Sequence, residues 1–200
     1  GNLTLYTLPG DSWPDSAHEP HIKNLLTRKI AGDCFTTEIH LDNFVPLHRW
    51  QQAGIILLED TSLTSKSLRL SIAFNDFFGG YKKDGEIIVQ GVSSEGAKTY
   101  NPEEFIHLPL FSLNDEQKGL MQQNLRKSAL RVEKNGTNFR FLSATAQVDN
   151  FAFREIMTRE FNSFKPKYIG IFALEGFVDS TAYIPAHFSY FTITTEKCHH

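Results

Sequence analysis

The stretch that most limits what this chain can fold into is residues 33–60, DCFTTEIHLDNFVPLHRWQQAGIILLED. In its first part Phe35, Thr37, Ile39 and Leu41 alternate with Cys34, Thr36, Glu38 and His40. Period-two alternation puts the two sets on opposite faces of a strand. One face is mostly apolar and suits a core; the other wants water or a polar ligand. Asn43, Pro46 and the mixed residues up to Arg49 break the pattern. Residues 53–58, AGIILL, are then almost wholly apolar. The run is far shorter than the roughly 20 residues a membrane-spanning helix needs. Closed by Glu59-Asp60, it reads as a central strand covered on both faces, and Gly54 and the two isoleucines argue against a short buried helix. Strand, loop and strand together predict a central hairpin.

The rest of the chain reads as more strands. Residues 3–8 fit an edge strand, and residues 22–30 resume a strand pattern. In residues 67–74, Leu68, Leu70, Ile72 and Phe74 alternate with Arg69, Ser71 and Ala73. Residues 86–92 follow as a strand, whereas residues 93–110 read mostly as connection. A helix is expected over residues 114–126, with Asn114 as its cap and Gln117 at the capping-box position, although Gly119 weakens it. Asn135-Gly136 is a preferred pair for a two-residue hairpin turn. That register sets Val132 against Phe139, Leu130 against Phe141 and Arg131 against Arg140. Directly opposed like charges repel, so a carboxylate such as Glu133 is expected between the arginines. Residues 152–161 fit either a strand or a short helix. Pro166 precedes an apolar run that reads as another central strand. In the last segment Phe188 and Tyr190 alternate poorly with Phe191 and Ile193, as if both faces were covered.

The chain has 200 residues, enough for one domain over 1–200 with a sizeable core. Its net charge is -3, with both signs interspersed. No basic stripe points to nucleic acid, and no long apolar run points to a membrane span. Seventeen Phe against two Trp and two Met favour β cores. About eight to twelve short strands with turn signals between them argue for an all-β sandwich or barrel. Of the two cysteines, Cys34 lies in a strand and Cys198 close to the end; the spacing alone leaves a disulfide open, and two free thiols are the preferred reading. Cys198-His199-His200 reads as a frayed tail. His18, Glu19 and His21 are metal-ligand types, but Pro20 separates them and no spacing supports a metal site. The chain begins with Gly1, which reads as a processed or trimmed end. The lack of a leader is therefore no sign of the cytoplasm.

Several segments carry a resemblance. QAGIILLED from Gln52, AGDCF from Ala31, LRVEKNG from Leu130, YIGIFA from Tyr168 and AHFSYFTI from Ala186 occur in the order seen in concanavalin A-like lectin/glucanase domains. The closest group is a bacterial family of unknown function related to the C-terminal sandwich of β-xylosidases. The resemblance covers roughly residues 20–194 and implies an all-β jelly-roll sandwich of two antiparallel sheets. It also implies a polysaccharide or oligosaccharide ligand on the concave sheet face, and a secreted, periplasmic or cell-surface location. The resemblance is compatible with a structural Ca²⁺, but no Asp-rich loop here demands one, and no other cofactor is implied. One departure stands out: related domains carry Asp-Gly and Trp after the equivalent of Phe141-Leu-Ser, whereas residues 144–151 have neither.

Catalysis is not spelled out. Retaining glucanases of this superfamily carry E-x-D-x-E, which brings acid and nucleophile onto one strand face. That triplet is absent; Glu38 and Asp42 share a face but sit roughly 13 Å apart along a strand. No G-x-S-x-G, P-loop or His-Glu-x-x-His occurs. The candidate ligand-binding residues are Glu38 and His40 from one strand, Gln52 from the next, and Arg69 and Gln90 beyond. Trp50 and Tyr81 are added as ring platforms for sugars, and residues 77–81 form an aromatic loop that reads first as a hydrophobic lid and second as a sugar-stacking loop. The expected function is carbohydrate binding or glycan processing. The alternatives are a glycoside hydrolase whose carboxylates come from separate strands, with Glu38 the first suspect, and a protein-interaction module.

Overall fold

The computed structural model describes residues 1–13, 18–48, 50–75, 85–96, 102–112, 123–177 and 182–198. Its strands are β1 Leu3–Tyr6, β2 Asn24–Lys29, β3 Cys34–Asp42, β4 Gln52–Leu58, β5 Ser67–Asn75, β6 Glu86–Ser94, β7 Glu103–Ser112, β8 Lys127–Asn135, β9 Asn138–Ala146, β10 Arg154–Glu160, β11 Tyr168–Leu174 and β12 Pro185–Thr195. They form two six-stranded sheets, β1-β12-β3-β8-β9-β10 and β2-β11-β4-β5-β6-β7. Every recorded pairing between named strands is antiparallel. The core lies between the sheets. Phe35, Ile39, Leu130, Val132, Phe139 and Phe141 of the first meet Ile55, Leu57, Leu70, Ile72, Val89 and Ile171 of the second. Each such side chain is worth about 1.5–3 kcal/mol when fully buried.

The alternation in β3 buries Phe35, Ile39 and Leu41 and leaves Glu38, His40 and Asp42 on the outer face. β4 is buried along its whole length. Its second face packs Ile56 and Leu58 against Phe172 and Leu174 of β11, under Ile22, Leu25 and Leu63. Gly54 is required here: a Cβ would come within 2.1 Å of the Leu70 carbonyl oxygen on β5. β3 and β4 do not form a hairpin, however. They lie in different sheets, so the chain changes sheet between Asp42 and Gln52. The reason is pairing demand: β3 fills the slot between β12 and β8, while β4 sits between β11 and β5.

Three further departures have local causes. The β8–β9 turn is centred on Gly136-Thr137, with Asn135 opposite Asn138 and Gly136 at φ 60°. Glycine at the first central position with positive φ suits a hairpin turn. This register differs by two residues from the Asn-Gly expectation, so the core face is unchanged but Glu133, not Arg131, lies opposite Arg140. Glu133 stands 2.9 Å from Arg140 and 3.6 Å from Arg131, so the expected carboxylate is in place. In β12 a bulge between Phe188 and Tyr190 resets the alternation, so a register shift rather than two covered faces explains the poor pattern. Residues 93–110, read mostly as connection with strand-like ends, hold most of the edge strand β7. Pro109 obscured it, and edge strands tolerate proline. The helix expected over residues 114–126 falls largely outside the described residues.

Cys34 and Cys198 are joined by a disulfide, which corrects the free-thiol reading. β12 runs beside β3 with Thr195 opposite Phe35. The Glu196 N–H then donates to the Cys34 carbonyl, and this delivers Cys198 to its partner. At the other side of the sandwich Arg159 of β10 reaches the sheet opposite. It donates to both oxygens of Glu103 on β7, at 2.7 and 2.9 Å. The guanidinium lies 4.9 Å from the Phe161 ring centre, in a cluster with Phe105, Phe139, Phe141 and Phe164.

Candidate functional site

The outer face of the second sheet carries a polar row, or recess, that is buried at its centre and partly exposed only at the β7 edge. Side chains on this face alternate with the core-facing set, so register alone fixes its rows. Gly54, Ser71, Gln90 and His107 are successive neighbours across β4, β5, β6 and β7. The next row runs Ile56, Arg69, Val92 and Glu104. Gln52 lies one step along β4 from Gly54 on the same face. Glycine and serine adjoin at the middle of the first row, so the face is low there and flanked by longer polar side chains.

Exposure along these rows falls from the β7 edge inward. The side chains of His107 and Glu104 are about a third exposed, at 34% and 31%, whereas Gln90 and Arg69 retain only 3% and 2%. Buried polar groups normally find partners, and most here do. Ser71 Oγ donates to Gln52 Oε1 at 3.1 Å. Arg69 Nη1 donates to Ser12 Oγ at 2.7 Å and to Asp11 Oδ1. Asp11 Oδ1 also accepts the Trp13 N–H at 2.9 Å. Gln90 Nε2 donates to Glu104 Oε1 at 2.7 Å. The ring nitrogens of His107 face Glu104 Oε1 at 3.2 Å and Glu86 Oε1 at 2.8 Å. Two groups stay unmatched: the Nε–H of Arg69 and the Oε1 of Gln90 are buried with no hydrogen-bond partner. The Gln90 amide cannot be turned to hide this, because its NH₂ must point at the Glu104 carboxylate.

The sequence-derived candidates divide between opposite sides of the sandwich. Gln52, Arg69 and Gln90 share the recess. Glu38 and His40 lie on the outer face of the first sheet, because β3 belongs to that sheet, so the single polar face expected from sequence does not exist. Glu38 is fully engaged there: Oε1 is 2.6 Å from His40 Nε2, and Oε2 accepts from Arg131 Nε at 2.6 Å. His40 stacks on Tyr190 with ring centres 4.5 Å apart and lies tilted against Phe151 at 4.4 Å. Trp50 occupies the turn before β4 at φ 61°, a left-handed conformation that is unusual for a bulky side chain. Tyr81 and the aromatic loop of residues 77–81 lie outside the described residues. Sequence reasoning missed Asp11, Ser12, Ser71, Glu86, Glu104 and His107. Only Ser71 had a readable signal, since it alternates in phase with Arg69.

A concavity of 410 Å³ lies beside the disulfide at the first sheet. Thr36, Glu133, Arg140, Thr158, Glu196 and Lys197 line it. Its demands are already met: Glu133 pairs with Arg140, and the Lys134 ammonium donates to the carbonyls of Asp33 and Gly136 at 2.8 and 2.6 Å. Burial lowers the pKa of that lysine from its ordinary value. The histidines of the N-terminal segment serve packing, with His18 stacked on Phe177 at 4.6 Å and His21 tilted against it at 5.3 Å. Among the described residues no three His, Cys, Asp or Glu side chains converge on a metal-sized point. No helix among them is long and apolar enough to cross a membrane.

No family model matches this sequence, and no curated protein does. Solved structures match over nearly the whole chain. The GH43 BlXynB protein from Bacillus licheniformis superposes with a TM-score of 0.67 at 16% identity, over 98% of this chain and 33% of that one. A functionally unknown protein from Saccharomyces cerevisiae gives 0.61 at 14% identity, over 98% and 89%. A legume lectin-like domain from Entamoeba histolytica gives 0.56 at 13% identity, over 88% and 82%. This chain thus spans about a third of the length of the GH43 protein. Likeness at these identities shows the fold alone: a jelly-roll sandwich of two antiparallel sheets.

Proposed function

We propose that this sandwich binds a polysaccharide or oligosaccharide in the recess on the outer face of its second sheet. The observation that carries the reading is the pair of buried, unmatched polar groups, Arg69 Nε and Gln90 Oε1, at the foot of a polar row open at the β7 edge. A buried donor and acceptor left unmade cost free energy that a hydroxyl-rich ligand would recover. Gln52, Ser71 and His107 would extend the contact, and Trp50 would add a ring at the rim. The carbohydrate connection of GH43 and lectin-like neighbours supports the same reading. Binding is favoured over cleavage because the acidic groups on this face, Asp11, Glu86 and Glu104, are each engaged by Arg69 or His107. Glu38, on the other sheet, is held by His40 and Arg131. Membership of the bacterial family of unknown function related to β-xylosidase sandwiches belongs to this proposal. So does a secreted, periplasmic or cell-surface location, which the disulfide favours, since disulfides persist in oxidising compartments.

The test is a glycan-array screen of the protein with reducing-sugar release assayed on the same ligands. Binding without release, lost in Gln90→Ala while the fold is retained, is the expected result. Release abolished by substitution of one carboxylate would make the protein a hydrolase. Silence in both assays would move the weight to a protein-interaction module.

A further inference from the structure

Resting on the reading of this face as a carbohydrate site, we infer that the recess selects uncharged pyranose units through a vicinal diol and rejects uronates. The two unmatched groups are of opposite kind. Arg69 Nε–H is a donor, and Gln90 Oε1 is an acceptor whose orientation is fixed by Glu104. They stand on adjacent strands at diagonal positions of one face: Arg69 is opposite Val92, two residues from Gln90. Diagonal neighbours are within reach of a common group when their side chains are long. One ligand must therefore offer an acceptor and a donor side by side. Neighbouring hydroxyls do so, because each hydroxyl both donates and accepts.

An ionised carboxylate only accepts. Placed against this pair it would satisfy Arg69 and leave Gln90 Oε1 facing another acceptor, so a uronate would have to enter through its own ring hydroxyls and hold its carboxylate close by. The surrounding charge disfavours it there. Asp11 already neutralises Arg69, and Glu86 and Glu104 flank the row with only the imidazole of His107 between them. Three carboxylates against one guanidinium and one imidazole make the recess unfavourable for an anion.

The experiment is calorimetric titration, at matched ionic strength, of neutral hexasaccharides differing in linkage and of hexagalacturonate. Neutral ligands are expected to bind at least roughly tenfold more tightly. Glu104→Gln keeps the acceptor for Gln90 and His107 but removes the charge. It is expected to improve uronate binding relative to neutral binding by about threefold or more. Uronate binding as tight as neutral binding, or a Glu104→Gln change that acts equally on both series, would overturn the selectivity and leave the carbohydrate site standing. Binding by neither series, with the fold intact by circular dichroism, would remove the carbohydrate reading and this inference with it.

Discussion

Cys34, at the start of β3, and Cys198, just beyond β12, are bonded across a sequence separation of 164 residues. Closing so long a loop removes much of the freedom of the unfolded chain, worth about 5 kcal/mol in the chain-entropy model. The denaturant midpoint is therefore expected to fall sharply on reduction, and equally in the double substitution Cys34→Ala, Cys198→Ala. Reductant should have no further effect on the double variant. A midpoint unmoved by reduction would mean that the bond does not form in solution.

Glu38→Gln separates the two faces of the sandwich. Glu38 accepts from His40 and Arg131 on the outer face of the first sheet, and it is mostly buried. Weakening charge-assisted bonds of this kind costs about 1–3 kcal/mol. A lower urea midpoint with unchanged glycan affinity is expected. Weaker glycan binding at unchanged stability would relocate the site to the first sheet.

Trp50 holds a left-handed backbone at φ 61°. Residues forced into such regions cost about 1–3 kcal/mol and cluster where a side chain is used. Asparagine tolerates this conformation. In Trp50→Asn the relieved strain should offset part of the lost ring burial, so stability should change by less than about 2 kcal/mol. Glycan affinity should fall nonetheless. Titration calorimetry beside thermal melting reads both, and unchanged affinity would remove Trp50 from the site.

The strands themselves were legible because alternation and apolar runs are local properties. β3, β4, β5 and the β8–β9 pair could all be read that way. Which strand lies beside which was not. β3 and β4 are neighbours in sequence, yet β3 pairs with β12 and β8 while β4 pairs with β11 and β5. Those partners lie far along the chain, and no local pattern announces them. The candidate site inherited the same limit. Arg69, Gln52 and Gln90 were grouped from sequence and do share a face, because β4, β5 and β6 are consecutive in both sequence and sheet. Glu38 and His40 were wrongly grouped with them because one crossing loop separates the sheets. Asp11 and His107 were missed because one comes from an irregular segment and the other from a strand disguised by Pro109. The disulfide had the same cause: only the β12–β3 register brings Cys198 to Cys34.

The strap between the sheets predicts acid sensitivity. Hydrogen bonds from Arg159 hold the Glu103 carboxyl below its usual range, and Arg140, with Thr158, does the same to Glu155. A carboxylate depressed in the folded state contributes stability above its unfolded pKa, about 4.3, and loses it as pH falls through the folded value. The denaturant midpoint should therefore decline as pH drops below about 5. Both carboxylates are largely exposed, so the loss should be small and weaker still at high salt. An Arg159→Ala variant should show a shallower acid slope than the parent. Identical slopes would show that the strap contributes nothing to stability.

Glu175, immediately after β11, is the strongest local conflict in the fold. Its N–H donates to the Leu8 carbonyl at 3.1 Å, but its side chain is 0% exposed and neither carboxyl oxygen has a hydrogen-bond partner. Removing a carboxyl from water without compensation is costly. Leucine has a comparable size and no such cost. Glu175→Leu is therefore expected to raise the urea midpoint, by a free energy of about 1–3 kcal/mol, and to leave glycan binding alone because the residue is not among those of the recess. A lower midpoint would mean that the carboxyl has a partner in solution. If that partner is a bound cation, the parent protein should lose stability in a chelator and the variant should not. If it is ordered water, neither should respond.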